Sequence, residues 1–256
     1  MGKKVTVELF SGTGSFSKVA LEYGFEINTY DIDKNADVIP SRRYAPSGEA
    51  THTRCDVLDA EVKYPQNPYM AWFSPPCQAF SIAAARWHFD RETGLPKSET
   101  GIMGMALLNR TLDLILELKP KYWIIENPMG QMRKKIPSLF SERGIEYINH
   151  LITYCQYEGD ASEKPRMKPT DLFTNIPLEV WTPRPRCFNG DSCHQSAPRG
   201  SKTGTQGLKN ARERSVVPSG LFHEIFTSVL NQPLTYEALL ADIGNPFEGL
   251  MPDDRW

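Results

Sequence analysis

The chain reads as an α/β protein, a mostly parallel twisted sheet with helices on both faces and a small irregular appendage. Three observations predict it. Short apolar runs alternate with stretches of helical apolar spacing through the first half, as in strand–helix–strand units. Three of the strands stop abruptly at glycine or proline turns, around Gly12-Thr13-Gly14, at Pro75-Pro76 and at Asn127-Pro128. The 256 residues carry 40% hydrophobic and 23% charged side chains, an ordinary balance for a chain that buries a sizeable core.

Taken in order, Val5 to Phe10 is the first strand. Ser15 to Tyr23 follows with helical apolar spacing at Phe16, Val19, Ala20 and Tyr23, and it stops at Gly24. Glu26 to Ile32 is a second strand, Thr53 to Leu58 a short third and Tyr69 to Phe73 a fourth. Met103 to Leu118 is a strong helix, apolar at Leu107, Leu108, Leu112, Ile115 and Leu118 and closed by Pro120. Tyr122 to Ile125, His150 to Gln156 and Pro169 to Thr174 complete the strands. Two stretches break the pattern. Residues 82–102 are polar and mixed, with Gly94-Leu95-Pro96 in the middle, and suit a lid or a plain surface excursion. Residues 175–217 are rich in Pro, Gly, Ser, Arg and Lys, and a helix resumes after Val217-Pro218-Ser219 and runs to about Leu230.

Composition limits the function classes. No apolar stretch approaches a membrane span. Met1-Gly2-Lys3-Lys4 runs straight into a strand and not into a signal-peptide apolar region, so an intracellular, cytoplasmic protein is expected. Five cysteines without a dense framework fit a reducing compartment. A net charge of −2 gives no global pointer to nucleic acid. Basic residues do gather in the second half, from Lys164 through Arg214, as a solvated face or a local binding surface.

The chemistry-bearing residues sit where strands end, which is where open α/β sheets hold ligands. Phe10-Ser11-Gly12-Thr13-Gly14 joins a strand to a helix, so backbone N–H groups at a helix start can approach a ligand. The full dinucleotide spacing is missing. The second strand closes at Asp31-Ile32-Asp33, where a carboxylate can accept from a ribose diol; Asp33 rivals Asp31 for this role. Asp56, after the third strand, can accept from an adenine amino group. Either Asp can also be a simple cap. The fourth strand delivers Cys77 behind two prolines, and the fifth delivers Glu126 ahead of Asn127-Pro128.

The glycine turn, then Pro75-Pro76-Cys77-Gln78, then Glu126-Asn127-Pro128, in this order, resemble the DNA cytosine methyltransferases that methylate carbon 5 of the base. The resemblance spans residues 5 to 230, dense in the first half and thin from 175 to 215. It implies the Rossmann-like methyltransferase fold and S-adenosylmethionine as cofactor, held by Phe10, Ser11, Gly12, Thr13, Gly14, Asp31, Ile32, Asp56 and Pro75. One departure is Ser15, where the family usually has a further glycine. It implies Cys77 as the nucleophile and Glu126 as the acid at ring nitrogen 3. Arg166 is then a further catalytic contact to the base, by the spacing Arg166-Met167-Lys168. Gln78, Ser81, Lys168, Arg199 and Lys202 are assigned to the nucleic-acid surface. The domain division that follows is a catalytic domain of residues 1–174 and 216–256 and a target-recognition subdomain of residues 175–215.

The expected partner is double-stranded DNA, with the target base flipped out, and the expected state is a monomer. The compact chain suits a phage or mobile-element enzyme. Rival readings are an RNA substrate such as tRNA, a donor carrying a group larger than methyl, a non-catalytic DNA-binding relative, and an amino-group methyltransferase. The last uses Asp or Asn, two prolines and an aromatic where this chain has Cys77. Cys187, Cys193 and His194 cluster in the appendage, with Cys155 as a possible fourth group. Their spacing is not a standard zinc pattern, and no metal ligand is assigned from it.

Overall fold

The computed structural model describes residues 3–38, 49–82, 84–158, 165–194 and 211–231. Its elements are β1 (Val5–Leu9), α1 (Ser15–Glu22), β2 (Glu26–Asp31), β3 (Ala50–Arg54), β4 (Met70–Phe73), α2 (Ala85–His88), α3 (Glu99–Leu118), β5 (Tyr122–Pro128), α4 (Met132–Arg143), β6 (Ile148–Thr153), β7 (Pro169–Thr174), α5 (Ala211–Ser215) and α6 (Ser219–Leu230). The strands form one seven-stranded sheet in the order β3-β2-β1-β4-β5-β7-β6. β3, β2, β1, β4 and β5 run parallel, while β7 lies antiparallel to both β5 and β6. This bears out the α/β expectation.

Burial explains which strands are central. β4 is buried at every residue and β5 at all but its last, as expected of strands covered on both faces. β3 alternates half-exposed and exposed residues, which suits a sheet edge. It lies at Ala50–Arg54, upstream of the expected Thr53 to Leu58, because an edge strand of Thr, His and Arg carries little apolar signal. Asp56 still follows it, in a turn that its own carboxylate closes by accepting from the Leu58 N–H at 3.0 Å.

Each face of the sheet has its own core. On one, Phe16 and Val19 of α1 meet Leu221, Phe222, Ile225, Phe226 and Val229 of α6 over Trp72 and Ile124. The Phe16 and Trp72 rings stack at 5.8 Å, with Phe222 edge-on to Trp72 at 4.8 Å. On the other, Leu108, Leu112 and Ile115 of α3 and Met132, Ile136 and Phe140 of α4 cover Val7, Phe73 and Ile125. Each such fully buried side chain is worth about 1.5–3 kcal/mol of apolar burial. α3 begins four residues before the expected Met103, because the Ser98 side chain caps it by accepting from Gly101 N at 3.1 Å. Residues 175–194 are not a detached lobe, since Ile176 and Trp181 are buried in the α1/α6 core. No helix among the described residues is long and apolar enough to cross a membrane.

Candidate active site

The strand order reverses direction between β1 and β4. The chain builds outward to β2 and β3 on one side and to β5 on the other, and the C-terminal ends of the strands at such a switch point are where open α/β sheets bind ligands. The loop after β1 enters with three residues in the left-handed region, Phe10 (φ 57°), Gly12 (φ 45°) and Gly14 (φ 61°). For Phe10 this costs about 1–3 kcal/mol, a strain typical of ligand clamps. Neighbouring strands hold the loop. Ser11 N donates to Tyr30 O at 3.1 Å, and the Asp31 carboxylate accepts from Gly12 N at 2.8 Å. Asp33 instead folds onto its own turn, accepting from Asn35 N at 2.8 Å and Asn35 Nδ2 at 3.0 Å. Of the two rivals, Asp31 therefore faces the glycine loop.

This cradle fits an S-adenosylmethionine. The Ser11 hydroxyl is buried and meets no hydrogen-bond partner among the described residues. Ile32 is 63% exposed beside Asp31. Beneath, Glu8 Oε2 accepts from Ser17 N at 3.0 Å and anchors the start of α1. From the far end of the chain, Val217 N donates to Ser15 Oγ at 3.3 Å, so the segment leading into α6 closes the loop from behind.

Cys77 and Glu126 are delivered by neighbouring strands whose loops are tied together. Asn127 Nδ2 donates to Pro75 O at 2.9 Å. Gln131 N donates to Phe80 O at 2.7 Å. Gly130 must be glycine, because a Cβ there would meet Phe80 O at 2.2 Å. Cys77 begins a turn in which its carbonyl accepts from Phe80 N and Ser81 N, both at 3.0 Å. Burial pushes its thiol up, the Glu126 carboxylate adds to this, and Lys168 and Arg214 oppose it.

Glu126 is buried, and its Oε1 accepts from the Tyr154 hydroxyl at 2.8 Å. Lys168 Nζ stands 3.8 Å from the same oxygen and 4.7 Å above the Tyr154 ring. The cation set against Glu126 is thus Lys168. Arg166 is committed elsewhere: its Nε pairs with Glu158 at 2.6 Å, and its guanidinium donates to the carbonyls of Glu213 and Val216. Tyr154 is the site residue that sequence reasoning missed. It stands just past β6 in a 3-10 turn, and no motif marks it.

The remaining candidates scatter more widely. Pro75 is buried at the end of β4, Gln78 is exposed beside Cys77, and Ser81 pairs across to Gly130. The expected lid, as far as it is described, packs as an ordered turn: His88 Nδ1 meets Ser98 Oγ at 2.8 Å, Phe89 bridges to Pro96, and Phe80 stacks on Phe89. Ile82 and Trp87 remain exposed near it, at 65% and 64%. Arg199 and Lys202 lie outside the described residues. Cys155, Cys187, Cys193 and His194 are brought together in the fold.

Comparison with known proteins gives the family. Residues 5–142 match the family model of the C-5 cytosine-specific DNA methylases. A Frog virus 3 (isolate Goorha) protein, "Probable DNA (cytosine-5)-methyltransferase", is 30% identical over 196 residues, 73% of this chain and 76% of the relative. Among solved structures, one described as a DNA modification methyltransferase encoded within an E. coli prophage is 21% identical over 72% of this chain, with a TM-score of 0.46. The S. pombe Dnmt2 methyltransferase is 14% identical over 67% of this chain, with a TM-score of 0.41. The chain spans about half the length of these two structures, 52% and 49%. With more than half of its residues in the family model and the viral relative matched over most of both lengths, the chain belongs to the C-5 cytosine-specific DNA methylase family, whose members methylate carbon 5 of cytosine in DNA with S-adenosylmethionine as the methyl donor.

Proposed function

We propose that this methyltransferase acts on duplex DNA, with Cys77 as nucleophile, Glu126 as the partner of ring nitrogen 3 and Lys168 as the cation beside the base. The observation that carries the assignment is the convergence of the Cys77 and Glu126 loops, joined through Asn127 and Pro75, with Lys168 next to the carboxylate. S-adenosylmethionine supplies an electrophilic methyl group. Carbon 5 of cytosine is a weak nucleophile, and the chain's residues act on that problem. Cys77 Sγ, as the thiolate, forms a bond to carbon 6, and the electron pair of the 5,6 double bond moves onto the ring. Glu126 takes up a proton from solvent as the base enters, shares it with nitrogen 3 and so stabilises that charge, and the proton returns to the carboxylate when the ring is restored. Carbon 5 takes the methyl group as its bond to the donor sulfur breaks, leaving the neutral thioether S-adenosylhomocysteine; the carbon 5 proton then leaves to a base and Cys77 departs as the thiolate, restoring the double bond.

Asp31 and the 10–14 loop hold the cofactor, with Ile32, Asp56 and Pro75 at its rim. Arg166 is a positioning residue, fixing the segment that carries Lys168 by gripping Glu158 and two carbonyls. The target base leaves the helix stack to reach Cys77. Residues 175–215, with Arg199 and Lys202, form the recognition element, and Gln78 and Ser81 face the nucleic acid.

A duplex oligonucleotide carrying 5-fluorocytosine tests the nucleophile. Fluorine replaces the proton that must leave, so the adduct persists and the peptide containing Cys77 carries the DNA. Retention of the adduct by Cys77→Ser overturns the assignment. Competition between unlabelled duplex DNA and tRNA for labelled methyl groups tests the substrate, and preferential labelling of tRNA overturns the duplex reading.

A further inference from the structure

We propose that Cys155, Cys187, Cys193 and His194 form a closed structural zinc site. Their ligand atoms all lie within 4.8 Å of one another. Zinc bound by three thiolates and an imidazole is tetrahedral, with Zn–S bonds of about 2.3 Å and Zn–N bonds of about 2.0–2.1 Å. Those lengths set tetrahedron edges of about 3.8 Å between sulfurs and about 3.6 Å from sulfur to nitrogen. The Cys193 and Cys155 sulfurs are 3.8 Å apart. His194 Nδ1 lies 3.6 Å from the Cys187 sulfur and 3.5 Å from that of Cys193. The Cys155–Cys187 edge, 3.1 Å, is shorter than the ideal and far longer than a disulfide bond of about 2.0 Å.

Buried cysteines are often simple apolar filling, and two observations speak against that here. The groups come from separate parts of the chain, the turn after β6 and both ends of a loop that reverses at Gly190 (φ 103°). Core packing alone gives no reason to aim three sulfurs and one ring nitrogen at a single point. In addition, the buried His194 turns Nδ1 toward two of the sulfurs, those of Cys187 and Cys193, and not toward any oxygen acceptor among the described residues. Gln156 Nε2 also donates to the Cys193 sulfur at 3.2 Å, as outer-shell groups do to metal-bound thiolates.

The place of the site gives it a task. Residues 175–194 contain no regular helix or strand among the named elements, so a bound metal adds a cross-link there that no helix or ladder supplies. Cys155 directly follows Tyr154, whose hydroxyl holds Glu126. Metal binding therefore ties the loop through Cys187 and Cys193 to the turn that positions the carboxylate. All four positions of the tetrahedron come from the protein, so the metal serves structure and not reaction. On binding, three thiol protons pass to solvent and the metal–ligand unit carries one net negative charge.

The full-length protein purified without chelator, after expression with zinc in the medium, is expected to retain about one zinc per chain by elemental mass spectrometry. The double variant Cys187→Ser/Cys193→Ser loses it, whereas Cys55→Ser, outside the cluster, keeps it. Reconstitution of the metal-stripped wild-type chain with cobalt(II) gives the intense visible bands and thiolate charge transfer of a tetrahedral sulfur-rich site, a readout that needs no variant to fold. Wild-type protein that holds neither zinc nor cobalt overturns the proposal. So does zinc retained by the double variant, or an intact mass two hydrogens lighter with a peptide joining Cys155 to Cys187. Methyl transfer is not the readout, so failure here leaves the catalytic reading untouched.

Discussion

At the residue scale the site sets the Glu126 carboxylate and the Lys168 and Arg214 cations around one thiol. Glu126 raises the Cys77 thiol and Lys168 lowers it, on top of the larger effect of burial. The free enzyme thus keeps Cys77 mainly protonated near neutrality, and its thiolate fraction grows as pH rises. Replacing Glu126 by Gln removes a raising charge, so alkylation of Cys77 by iodoacetamide at pH 8 is expected to quicken several-fold. Methyl transfer in the same variant falls about 10²–10⁴-fold, because the proton at ring nitrogen 3 is lost. Lys168→Gln moves alkylation the other way and slows it. Alkylation followed on the Cys77 peptide by mass spectrometry checks the signs. Equal rates in the wild type and both variants would show that neither charge reaches the thiol. Cys77 and Glu126 were legible because prolines and an Asn-Pro pair mark the ends of their strands. Tyr154 was not, because a buried Tyr past a strand looks like any core aromatic until its hydroxyl meets the carboxylate. The placing of Lys168, and not Arg166, against Glu126 depends on which side chain points inward where the chain enters β7, and spacing alone does not give that.

At the element scale the central strands and α1 are readable from periodicity, whereas β3 and α4 are not. The buried stripe of α4, Met132, Ile136 and Phe140, has ideal helical spacing and ends at Gly144 (φ 63°), but Pro137 and a run of Lys, Arg and Ser obscure it. The joint between β1 and α1 holds a second unannounced feature. Glu8 is buried in mid-strand, and burial lifts its carboxyl from an ordinary 4.5 to about 7, against the opposing hydrogen bond from Ser17. The unfolded chain ionises at the lower value. Between pH 4.5 and 7 the folded state therefore binds more protons, and stability declines with rising pH, by about 3 kcal/mol from this group alone. Below 4.5 its contribution is fully present and above 7 the loss is complete. Glu8→Gln cannot ionise. Urea titrations from pH 4.5 to 8 should show the wild type losing stability relative to Glu8→Gln up to pH 7 and running parallel to it beyond. A constant difference across the range would place the Glu8 carboxyl near its ordinary ionisation.

At the scale of the whole molecule, the last described helix joins the core built by the first half of the chain. The helix expected after Val217-Pro218-Ser219 is present as α6, and it packs with α1 on one face of the sheet. Apolar spacing announces such a helix but does not say which face it covers. That choice rests on side chains distant in sequence: Tyr69 Oη donates to Val229 O at 2.9 Å, and Tyr23 Oη meets Thr227 Oγ1 at 3.0 Å. Phe226 is the centre of the joint, fully buried, with Phe16 at 5.3 Å, Tyr23 at 5.2 Å and Phe25 at 5.2 Å. Phe226→Ala removes that ring from a rigid aromatic surround that collapses poorly, so a loss of about 3–5 kcal/mol is expected, a large share of the total stability of a typical domain. The same face carries α1, whose first turn adjoins the glycine loop, and Val217 N reaches Ser15 Oγ. Loosening α6 should therefore weaken S-adenosylmethionine binding in the molecules that remain folded, and calorimetric titration of Phe226→Leu, which keeps most of the volume, isolates that effect. Weaker cofactor binding with near-native stability in Phe226→Leu would show that the returning helix supports the pocket as well as the core. Unchanged affinity in a destabilised protein would confine its role to packing.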